Sequence, residues 1–465
     1  MNRRLFIQRS LILTGALTLK FRNTFARNKR AATVTGKVTT AGKPLANVLI
    51  SDGFSIVPTG KDGSYQLTPD AKAEFVFVSI PSGYEFPHEE FLAKHYRRLS
   101  EGSSFDFNLV PLKKNDSKHT FIVWADPQVR NKRDVEKMMA QSVPDTQKTV
   151  ASLKGELLHG IGVGDLAWDN LELFTDYNQA VKQIGIPFFQ GLGNHDMDYR
   201  QGGDETSDRT FKKTYGPTYY SYNRGRAHYV MMDDVRYLGR EREYDGYITE
   251  EQLNWLAKDL KYVKKDDLLI ICLHIPVYDQ VKNNQDLYKL LRPFTNVHIM
   301  SGHTHYNANH IDGNIYEHNH GTVCGAWWTG PICEDGTPRG YGVYTVDGNQ
   351  LKWYYKSMES DKNNQLSLHI DEQKKLVANV YNWDLQWKVE YWLDGQYKGI
   401  LKNEPGMDPM AVKLYLGDKL PAGRAFPEPK TTDHIFAAQL DNAVKKVKVV
   451  ATDRFGDKYE REMSI

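Results

Sequence analysis

Gly191-Leu-Gly-Asn-His-Asp196 follows the apolar run at residues 186–189, so it is predicted to be the turn that leaves a buried strand. Asn194 and His195 would then stand at a strand exit, where loops commonly carry functional side chains. Taken alone, the stretch favours a plain Gly-rich turn, with Asn194 in the left-handed conformation and His195 exposed without a role. The remainder of the chain decides between these two interpretations.

Four further segments end in the same way, with an apolar run that leads into Asp, His or Gln. They are Phe121-Ile-Val-Trp-Ala-Asp-Pro-Gln128, Ile161-Gly-Val-Gly-Asp165, Leu268-Leu-Ile-Ile-Cys-Leu-His274 and Val297-His-Ile-Met-Ser-Gly-His-Thr-His305. Oxygen and imidazole donors without thiolate along one sheet edge suit Mn, Fe and Zn. If one carboxylate bridges two ions about 3.5–4 Å apart, the pair can hold both the attacking and the leaving oxygen of a phosphoryl transfer.

In this order, Asp-x-Gln, Gly-Asp, Gly-Asn-His-Asp, a strand-terminal His and Gly-His-Thr-His resemble the motifs of the calcineurin-like metallophosphoesterases. The resemblance covers roughly half of the chain, and five motifs in one order make chance a poor explanation. It implies an α/β fold with a four-layer α/β/β/α core, in which helices cover two sheets. It also implies two divalent metal ions, Mn, Fe or Zn, as cofactors.

The resemblance assigns the metal ligands residue by residue. The first ion would be held by Asp126, Gln128, Asp165 and His305, and the second by Asp165, Asn194, His274 and His303. Asp165 is therefore the bridging carboxylate. Three glycines, Gly164, Gly193 and Gly302, fit beside these ligands because a residue without Cβ lets the chain turn sharply.

The resemblance places the chemistry at His195 and Asp196. In the family, the His of this motif faces the phosphoryl group and stabilises or protonates the leaving oxygen, while the acid that follows orients the His by a hydrogen bond. The nucleophile would be a metal-bridging hydroxide, since the metals lower the pKa of water. The implied reaction is metal-dependent hydrolysis of a phosphoester, with a diester preferred and a monoester as the alternative.

Gln128 departs from the commoner pattern of the family. Most members have His at this position, and an amide oxygen is a neutral and weaker donor than imidazole. We therefore expect an active site whose first metal is bound more weakly or with different selectivity. An inactive fold is the alternative, although every other ligand position is filled.

Several other side chains are candidates for the substrate pocket. Trp168 and Asp169 follow Asp165 closely, and Tyr199, Arg200 and Arg209 lie in residues 199–226, which we predict to be a long loop over the site. A Gly-rich segment with His318, His320, Trp327 and Trp328 is expected to return to the site and offer a wall for a sugar or lipid. His228 and His298 lie within strands and are predicted to be core histidines.

At 465 residues, with 40% hydrophobic and 12% aromatic residues, the chain is long enough for about three domains. Short runs broken by Gly, Pro and Asp-Gly predict an N-terminal β-sandwich at 33–112, which resembles the carboxypeptidase-regulatory-like sandwich of exported enzymes. Alternating strands and helices predict the metallophosphoesterase domain at 119–358, and a second β-sandwich follows at 366–465. The predicted helices are 145–159, 170–184 and 249–263, the last with a capping box formed by Thr249 and Gln252.

Residues 1–26 have the pattern of an export signal. Arg3 and Arg4 precede an apolar run at 11–19 that is too short to span a bilayer, and Ala26 ends a plausible cleavage site. The Arg pair is typical of the twin-arginine type, and an ordinary secretory signal is the alternative. We therefore expect a periplasmic or secreted protein. Removing this segment changes the formal net charge from +2 to −3, which argues against a nucleic-acid binder with a broad basic surface.

Three cysteines are too few for a disulfide scaffold. Cys272 lies in an apolar strand and is predicted to be buried, whereas Cys324 and Cys333 are either bridged or free. The expected partner is a small-molecule or glycan- or lipid-linked phosphoester, and the oligomeric state is open. The alternative of another class is an exported glycan- or envelope-binding protein whose middle domain is an inactive scaffold.

Overall fold

Two central β-sheets form the middle of the protein in the computed structural model, which describes residues 33–416, 420 and 428–465. The strands of the seven-stranded sheet are, in order, Gln350–Ser357, Gly340–Asp347, Lys118–Trp124, Leu158–Val163, Phe188–Gly191, Leu92–Ala93 and His88–Glu89. Those of the six-stranded sheet are Tyr220–Arg224, Ala227–Met231, Leu268–Cys272, Asn296–Ser301, Ile315–Asn319 and Ala308–Asp312. With helices outside both sheets, this is the predicted four-layer α/β/β/α core.

The five motifs follow parallel strands of these two sheets. Lys118–Trp124, Leu158–Val163 and Phe188–Gly191 run parallel in one sheet, and Leu268–Cys272 and Asn296–Ser301 run parallel in the other. Carboxyl ends of parallel strands meet at one edge of a sheet, and ligands bind in the crevice outside that edge. The order of the strands therefore brings all five motifs to one end of the core.

Three of the helices correspond to the predicted ones, and each of the three is shorter than predicted. The α-helices are Lys132–Lys137, Val143–Ser152, Phe174–Ile184, Asp204–Ser207, Arg209–Tyr215, Glu250–Asp259, Asn284–Leu291 and Pro409–Tyr415. The helix predicted at 145–159 was too long, because Leu158–Val163 is already a buried central strand. Thr249 accepts a hydrogen bond from the backbone N–H of Gln252, but the Gln252 side chain bonds the backbone of Asp233 instead of closing the capping box.

Aromatic rings fill the space between the two sheets. Phe189 stacks on Tyr222 with 3.8 Å between ring centroids, and Phe121 meets Tyr229 edge-on at 5.5 Å. All four side chains are almost fully buried. Each such pair adds about 0.5–1.5 kcal/mol of stability beyond the burial of its apolar area, so the rings help to hold the two sheets together.

The N-terminal region is built onto the central core of two sheets. It contains one sheet of Val34–Thr40, Lys43–Pro44, Ser64–Leu67 and Phe107–Asn108, and another of Leu49–Ser51, Ile56–Pro58, Phe75–Ser79 and Tyr96–Arg98. Its hairpin His88–Glu89 and Leu92–Ala93 extends the seven-stranded sheet by pairing Leu92 with Phe188. One continuous hydrophobic cluster runs through both regions. The two regions therefore share a sheet and a core.

The C-terminal region has a hydrophobic core of its own. One of its sheets contains Leu366–Ile370, Lys375–Val380, Ile435–Gln439 and Lys402–Asn403, and the other contains Gln396–Ile400, Lys388–Leu393, Lys446–Thr452 and Lys458–Ser464. A short pair, Gly406–Met407 and Thr431–Thr432, lies beside them. The helix Pro409–Tyr415 packs Ala411 and Tyr415 against Ala326 and Ile332 of the middle domain. This contact connects the C-terminal region to the segment that follows the last motif.

The prediction that residues 199–226 form a long loop was wrong. The segment contains two short helices and the strand Tyr220–Arg224, which pairs with Ala227–Met231. The sequence Tyr220-Ser-Tyr222 alternates with a period of two, but tyrosines make this pattern look polar, and both rings are buried. The strand is therefore part of the core.

Two other predictions concern membranes and export. Among the residues that the structure describes, none of the helices combines the length and the apolar character needed to span a bilayer. The export signal at residues 1–26 lies outside the described residues.

Candidate metal centre

Ligand atoms of the second predicted ion converge at the strand ends. One donor atom from each of Asp165, His274 and His303 lies within 4.8 Å of the others. His274 Nε2 is 3.0 Å from Asn194 Oδ1, 3.2 Å from His303 Nδ1 and 3.3 Å from Asp165 Oδ1. The four side chains predicted to hold this ion therefore face one point.

The orientation of His274 is set by its other ring nitrogen. Nδ1 lies 2.8 Å from the carbonyl oxygen of Val163, so Nδ1 carries a proton and its N–H donates a hydrogen bond to this oxygen. The lone pair of Nε2 is then directed at the centre, as in metal sites where a backbone carbonyl fixes the tautomer of a ligand. Asp234 accepts from the backbone N–H groups of His274 and Ile275 and fixes the turn that carries the ring.

The ligands of the first predicted ion adjoin this group. Asp126 is fully buried, and its Oδ1 lies 3.5 Å from His305 Nε2. Gln128 Nε2 donates to Asp165 Oδ2 at 2.9 Å, whereas Gln128 Oε1 is buried without a hydrogen-bond partner. The structure therefore brings all seven predicted ligands together, with Asp165 between the two sets.

Five of these seven ligands adopt the left-handed backbone conformation. Their φ angles are 49° for Asp126, 42° for Gln128, 52° for Asp165, 71° for His303 and 60° for His305. This conformation is uncommon for residues other than glycine, and such strain clusters at functional sites. The sharp turns aim the side chains into the crevice at the strand ends.

The glycines beside the ligands are required by close contacts. A Cβ at Gly193 would lie 2.0 Å from the backbone nitrogen of Asp165, and Gly164 has a φ of +91°. Any larger residue at position 193 would push the Asn194 turn away from Asp165. The predicted role of glycine in letting these turns approach each other thus has a direct steric basis.

The donor set fits divalent cations. Buried carboxylates and imidazole lone pairs within 3.3–3.5 Å of each other repel unless positive charge lies between them. Although burial opposes protonation of His274, the carboxylates of Asp165 and Asp126 raise its pKa to about 10. The centre therefore attracts a cation, and the unpartnered Gln128 Oε1 supplies a further neutral donor.

His195 is held by Asp169, not by Asp196 as predicted. His195 Nδ1 lies 2.9 Å from Asp169 Oδ1, and Arg242 contacts the other oxygen of Asp169. Asp196 instead accepts from the backbone N–H groups of Leu166, Ala167 and Gly193. Adjacent residues of a helical turn do not face each other, so Asp196 cannot reach the neighbouring ring. It joins the two turns, while Asp169 orients His195.

The remaining candidates divide between the site and the core. Trp168 lies 4.8 Å from His195 and Trp327 stacks on His305 at 4.3 Å, measured between ring centroids. His318 and His320, expected near the pocket, are buried in the core, where His318 bonds His298 and His320 bonds Ser301 and Tyr344. His228 bonds Asn223 and Asp259, which confirms a core role for His228 and, with the His318 contact, for His298. The thiols of Cys272, Cys324 and Cys333 are free and buried.

Arg242 was missed by the sequence analysis. It lies between the strands Val235–Tyr237 and Tyr244–Gly246, a hairpin that carries no recognisable motif. Tyr244 of the same hairpin meets the ring of His303 edge-on at 5.9 Å. The hairpin thus contacts both the histidine of the second ion and the partner of His195, and only the tertiary structure reveals it.

Family models for the calcineurin-like phosphoesterases match along most of the chain. The model of the calcineurin-like phosphoesterase itself matches residues 119–307, which include all seven predicted metal ligands. Models of the N-terminal and C-terminal parts of calcineurin-like phosphoesterases match residues 32–112 and 317–459. The chain belongs to the calcineurin-like phosphoesterase family. It is a hydrolase that acts on phosphoesters, and its family uses divalent metals.

Solved structures that resemble this chain have low sequence identity to it. A purple acid phosphatase from yellow lupin (Lupinus luteus) seeds is 12% identical, with 67% of each chain covered and a TM-score of 0.40. GAP50, the anchor in the inner membrane complex of Plasmodium, is 12% identical over 52% of this chain and 84% of its own, with a TM-score of 0.34. Phosphopantetheinyl hydrolase from Mycobacterium tuberculosis is 11% identical over 44% and 91%, with a TM-score of 0.27. No curated protein matches the sequence.

Proposed function

We propose that this calcineurin-like phosphoesterase hydrolyses phosphodiesters at a centre of two divalent ions. The observation that carries the proposal is the convergence of Asp165, His274 and His303 beside a histidine, His195, that is oriented by its own carboxylate. Asp126, Gln128, Asp165 and His305 would hold one ion, and Asp165, Asn194, His274 and His303 the other. When bound, such ions activate water and neutralise charge on the phosphoryl oxygens.

The side chains around the ions position the substrate and move the proton. His195 Nδ1 is occupied by Asp169, so Nε2 is the atom that can face the leaving oxygen and donate a proton to it. The backbone N–H of His195 donates to Asp165 Oδ1 at 2.8 Å, which fixes the ring relative to the bridging carboxylate. The position of His195 is therefore tied to that of the predicted bridging carboxylate.

The charges near the centre favour a diester over a monoester. A monoester carries a second negative charge that needs a further cation. Arg130 pairs with Asp134, Arg200 with Glu241 and Arg242 with Asp169, so these three guanidinium groups are already matched by carboxylates. A cavity of about 630 Å³, lined by Asp169, Arg200 and Arg242 among others, offers room for a second ester substituent.

Bis-p-nitrophenyl phosphate is therefore expected to be hydrolysed with a higher kcat/KM than p-nitrophenyl phosphate. Both substrates release the same leaving group, so the comparison isolates the second ester substituent. Side-by-side initial rates with Mn or Zn present measure the preference. A higher kcat/KM for the monoester would show that the enzyme is a phosphomonoesterase.

The N-terminal segment is the part of the sequence that bears on where the enzyme is located. We propose that the enzyme is exported to the periplasm or secreted, with residues 1–26 as a twin-arginine signal, because Arg3 and Arg4 precede a short apolar run. When the full chain is expressed in bacterial cells, the protein recovered outside the cytoplasm should lack residues 1–26, as read by N-terminal sequencing. The variant with Arg3→Lys and Arg4→Lys should accumulate as a cytoplasmic precursor. Unchanged export of this variant would indicate an ordinary secretory signal.

A further inference from the structure

The turn that carries the last metal motif, Gly302-His-Thr-His305, has a strained backbone. His303 and His305 have φ angles of 71° and 60°. Residues other than glycine stay in this conformation only where the surrounding contacts enforce it. The contacts around His305 therefore decide whether its Nε2 remains 3.5 Å from Asp126 Oδ1, where the two can share the first ion.

Two residues from the loop after the core strands hold the backbone around His305. The backbone N–H of Glu334 donates to the carbonyl oxygen of His305 at 3.3 Å. Asp335 Oδ2 accepts from the backbone N–H of Asn307 at 2.8 Å. We refer to Glu334 and Asp335 as the clamp, because they bind the chain on both sides of the residue that follows His305.

The C-terminal region in turn holds the clamp. Asn379 Nδ2 donates to the carbonyl oxygen of Asp335 at 2.8 Å, and His434 Nε2 lies 3.2 Å from Asp335 Oδ2. The backbone N–H of Lys430 donates to the carbonyl oxygen of Glu334 at 3.0 Å. These three residues belong to the C-terminal region, so an unbroken series of hydrogen bonds leads from it to the metal motif.

The side chains of this network are fixed by second contacts. Asn379 Nδ2 also donates to Asp408 Oδ2 at 3.0 Å, so the amide nitrogen faces two oxygens and Asn379 Oδ1 is left to face His434. His434 Nδ1 lies 2.7 Å from this Oδ1, so its N–H donates there. Asp408 accepts from two backbone N–H groups at the start of the helix Pro409–Tyr415. The network is therefore anchored on a helix of the C-terminal region.

The Asp335 carboxylate is the centre of this network. It is fully buried, and a buried carboxylate is costly unless donors surround it. Thr337 supplies its backbone N–H and its hydroxyl, and Asn307 and His434 supply the other contacts. The helix Pro409–Tyr415 already docks on the middle domain through apolar contacts, which need no buried charge. The polar network thus adds a link to the metal motif that docking alone does not require.

We propose that Asp335 is a positioning residue for the first ion and that the C-terminal region, through His434 and Asn379, keeps His305 in the geometry of a metal ligand. The proposal rests on the proposed function, because His305 is a predicted ligand of that ion. Without the clamp, the His305 turn can relax, and Nε2 moves away from Asp126. The second ion depends on His274, whose ring is held by a different contact, so its affinity should change less.

The test measures the binding of Mn²⁺ to the metal-free full chain by calorimetry. The unmodified protein is expected to bind two ions. In His434→Ala, which cuts the link between Asp335 and the C-terminal region, one of the two ions should bind about 10–100-fold more weakly, as for other partners that orient a metal ligand. Thr337→Val removes one hydroxyl donor from Asp335 and keeps the shape of the side chain. This milder variant should fold normally and show a smaller loss for the same ion.

Asp384→Asn is the matched control. Asp384 is a buried carboxylate of the C-terminal region, 2% exposed, whose Oδ2 accepts from the hydroxyl of Tyr316 at 2.9 Å and pairs with Arg454. These contacts also connect the C-terminal region to the middle domain, but they lead to the strand Ile315–Asn319 and not to the clamp. Its melting temperature should fall as in His434→Ala, whereas both ions should bind as in the unmodified protein.

Two outcomes would overturn the positioning role. One is an unchanged affinity for both ions in His434→Ala and Thr337→Val, and the other is an equal loss of affinity in Asp384→Asn, which would trace the effect to docking in general. The proposed function is tested separately by hydrolysis. If His434→Ala weakens one of two bound ions but the unmodified protein hydrolyses no phosphoester, the positioning role stands and the proposed reaction fails.

Discussion

Replacing Asp165 with Asn is expected to lower kcat/KM by about 10³-fold or more, because metal-supplied stabilisation is worth several kcal/mol. The Asp165 carboxylate is 1% exposed and is contacted by Gln128 Nε2, the backbone N–H of His195 and His274 Nε2. Asn preserves the size of the side chain and one oxygen but removes the charge that both ions would share. Metal content after incubation with Mn or Zn and dialysis should fall together with hydrolysis of bis-p-nitrophenyl phosphate.

Asp259→Asn provides a matched control. Asp259 is also 1% exposed and pairs with a buried histidine, since its Oδ2 lies 2.7 Å from His228 Nε2, but it belongs to no part of the centre. This variant should keep its metal content and its kcat/KM even if its melting temperature falls. If Asp165→Asn retained full metal content and activity, the assignment of the centre would be wrong.

The architecture of the centre could be predicted from sequence because its donors follow strands directly. A buried parallel strand leaves a clear apolar run, and the carboxyl ends of such strands meet at one edge. Asp126, Asp165 and His274 each follow a run of this kind, so their proximity follows from the topology of the sheets. His303 and His305 come with the fifth strand for the same reason.

Features that depend on contacts between distant segments could not be read in the same way. Arg242 reaches Asp169 from a hairpin without any motif, and Tyr415 reaches Ile332 across 83 residues of sequence. The family resemblance implied Asp196 as the partner of His195, whereas helical geometry points that carboxylate back at the turn that carries Gly193. The residue types of the site could be read from the motifs, whereas the directions of the side chains required the structure.

Replacing His195 with Ala is expected to lower kcat by about 10²–10⁴-fold for a diester with an alkyl leaving group. The effect should be much smaller for bis-p-nitrophenyl phosphate, because p-nitrophenolate departs without a proton. Metal content should stay unchanged, since His195 is not among the predicted ligands. Steady-state rates on the two substrates, the alkyl diester followed by phosphorus NMR, measure the difference. An equal loss on both substrates would show that His195 acts on the phosphoryl group and not as proton donor.

Variants of the two neighbouring carboxylates separate orientation of His195 from support of the turn. Asp169→Asn should show the same dependence on the leaving group as His195→Ala, with kcat lowered by about 10–100-fold for the alkyl diester. The reason is that the hydrogen bond to Asp169 holds the His195 ring in its orientation. Asp196→Asn should instead lower the melting temperature, since Asp196 is buried and accepts three backbone N–H groups. Its remaining activity should fall equally on both substrates. If Asp196→Asn showed the leaving-group dependence and Asp169→Asn did not, Asp196 would be the residue that orients His195, and the hydrogen bond between His195 and Asp169 would have no part in proton transfer.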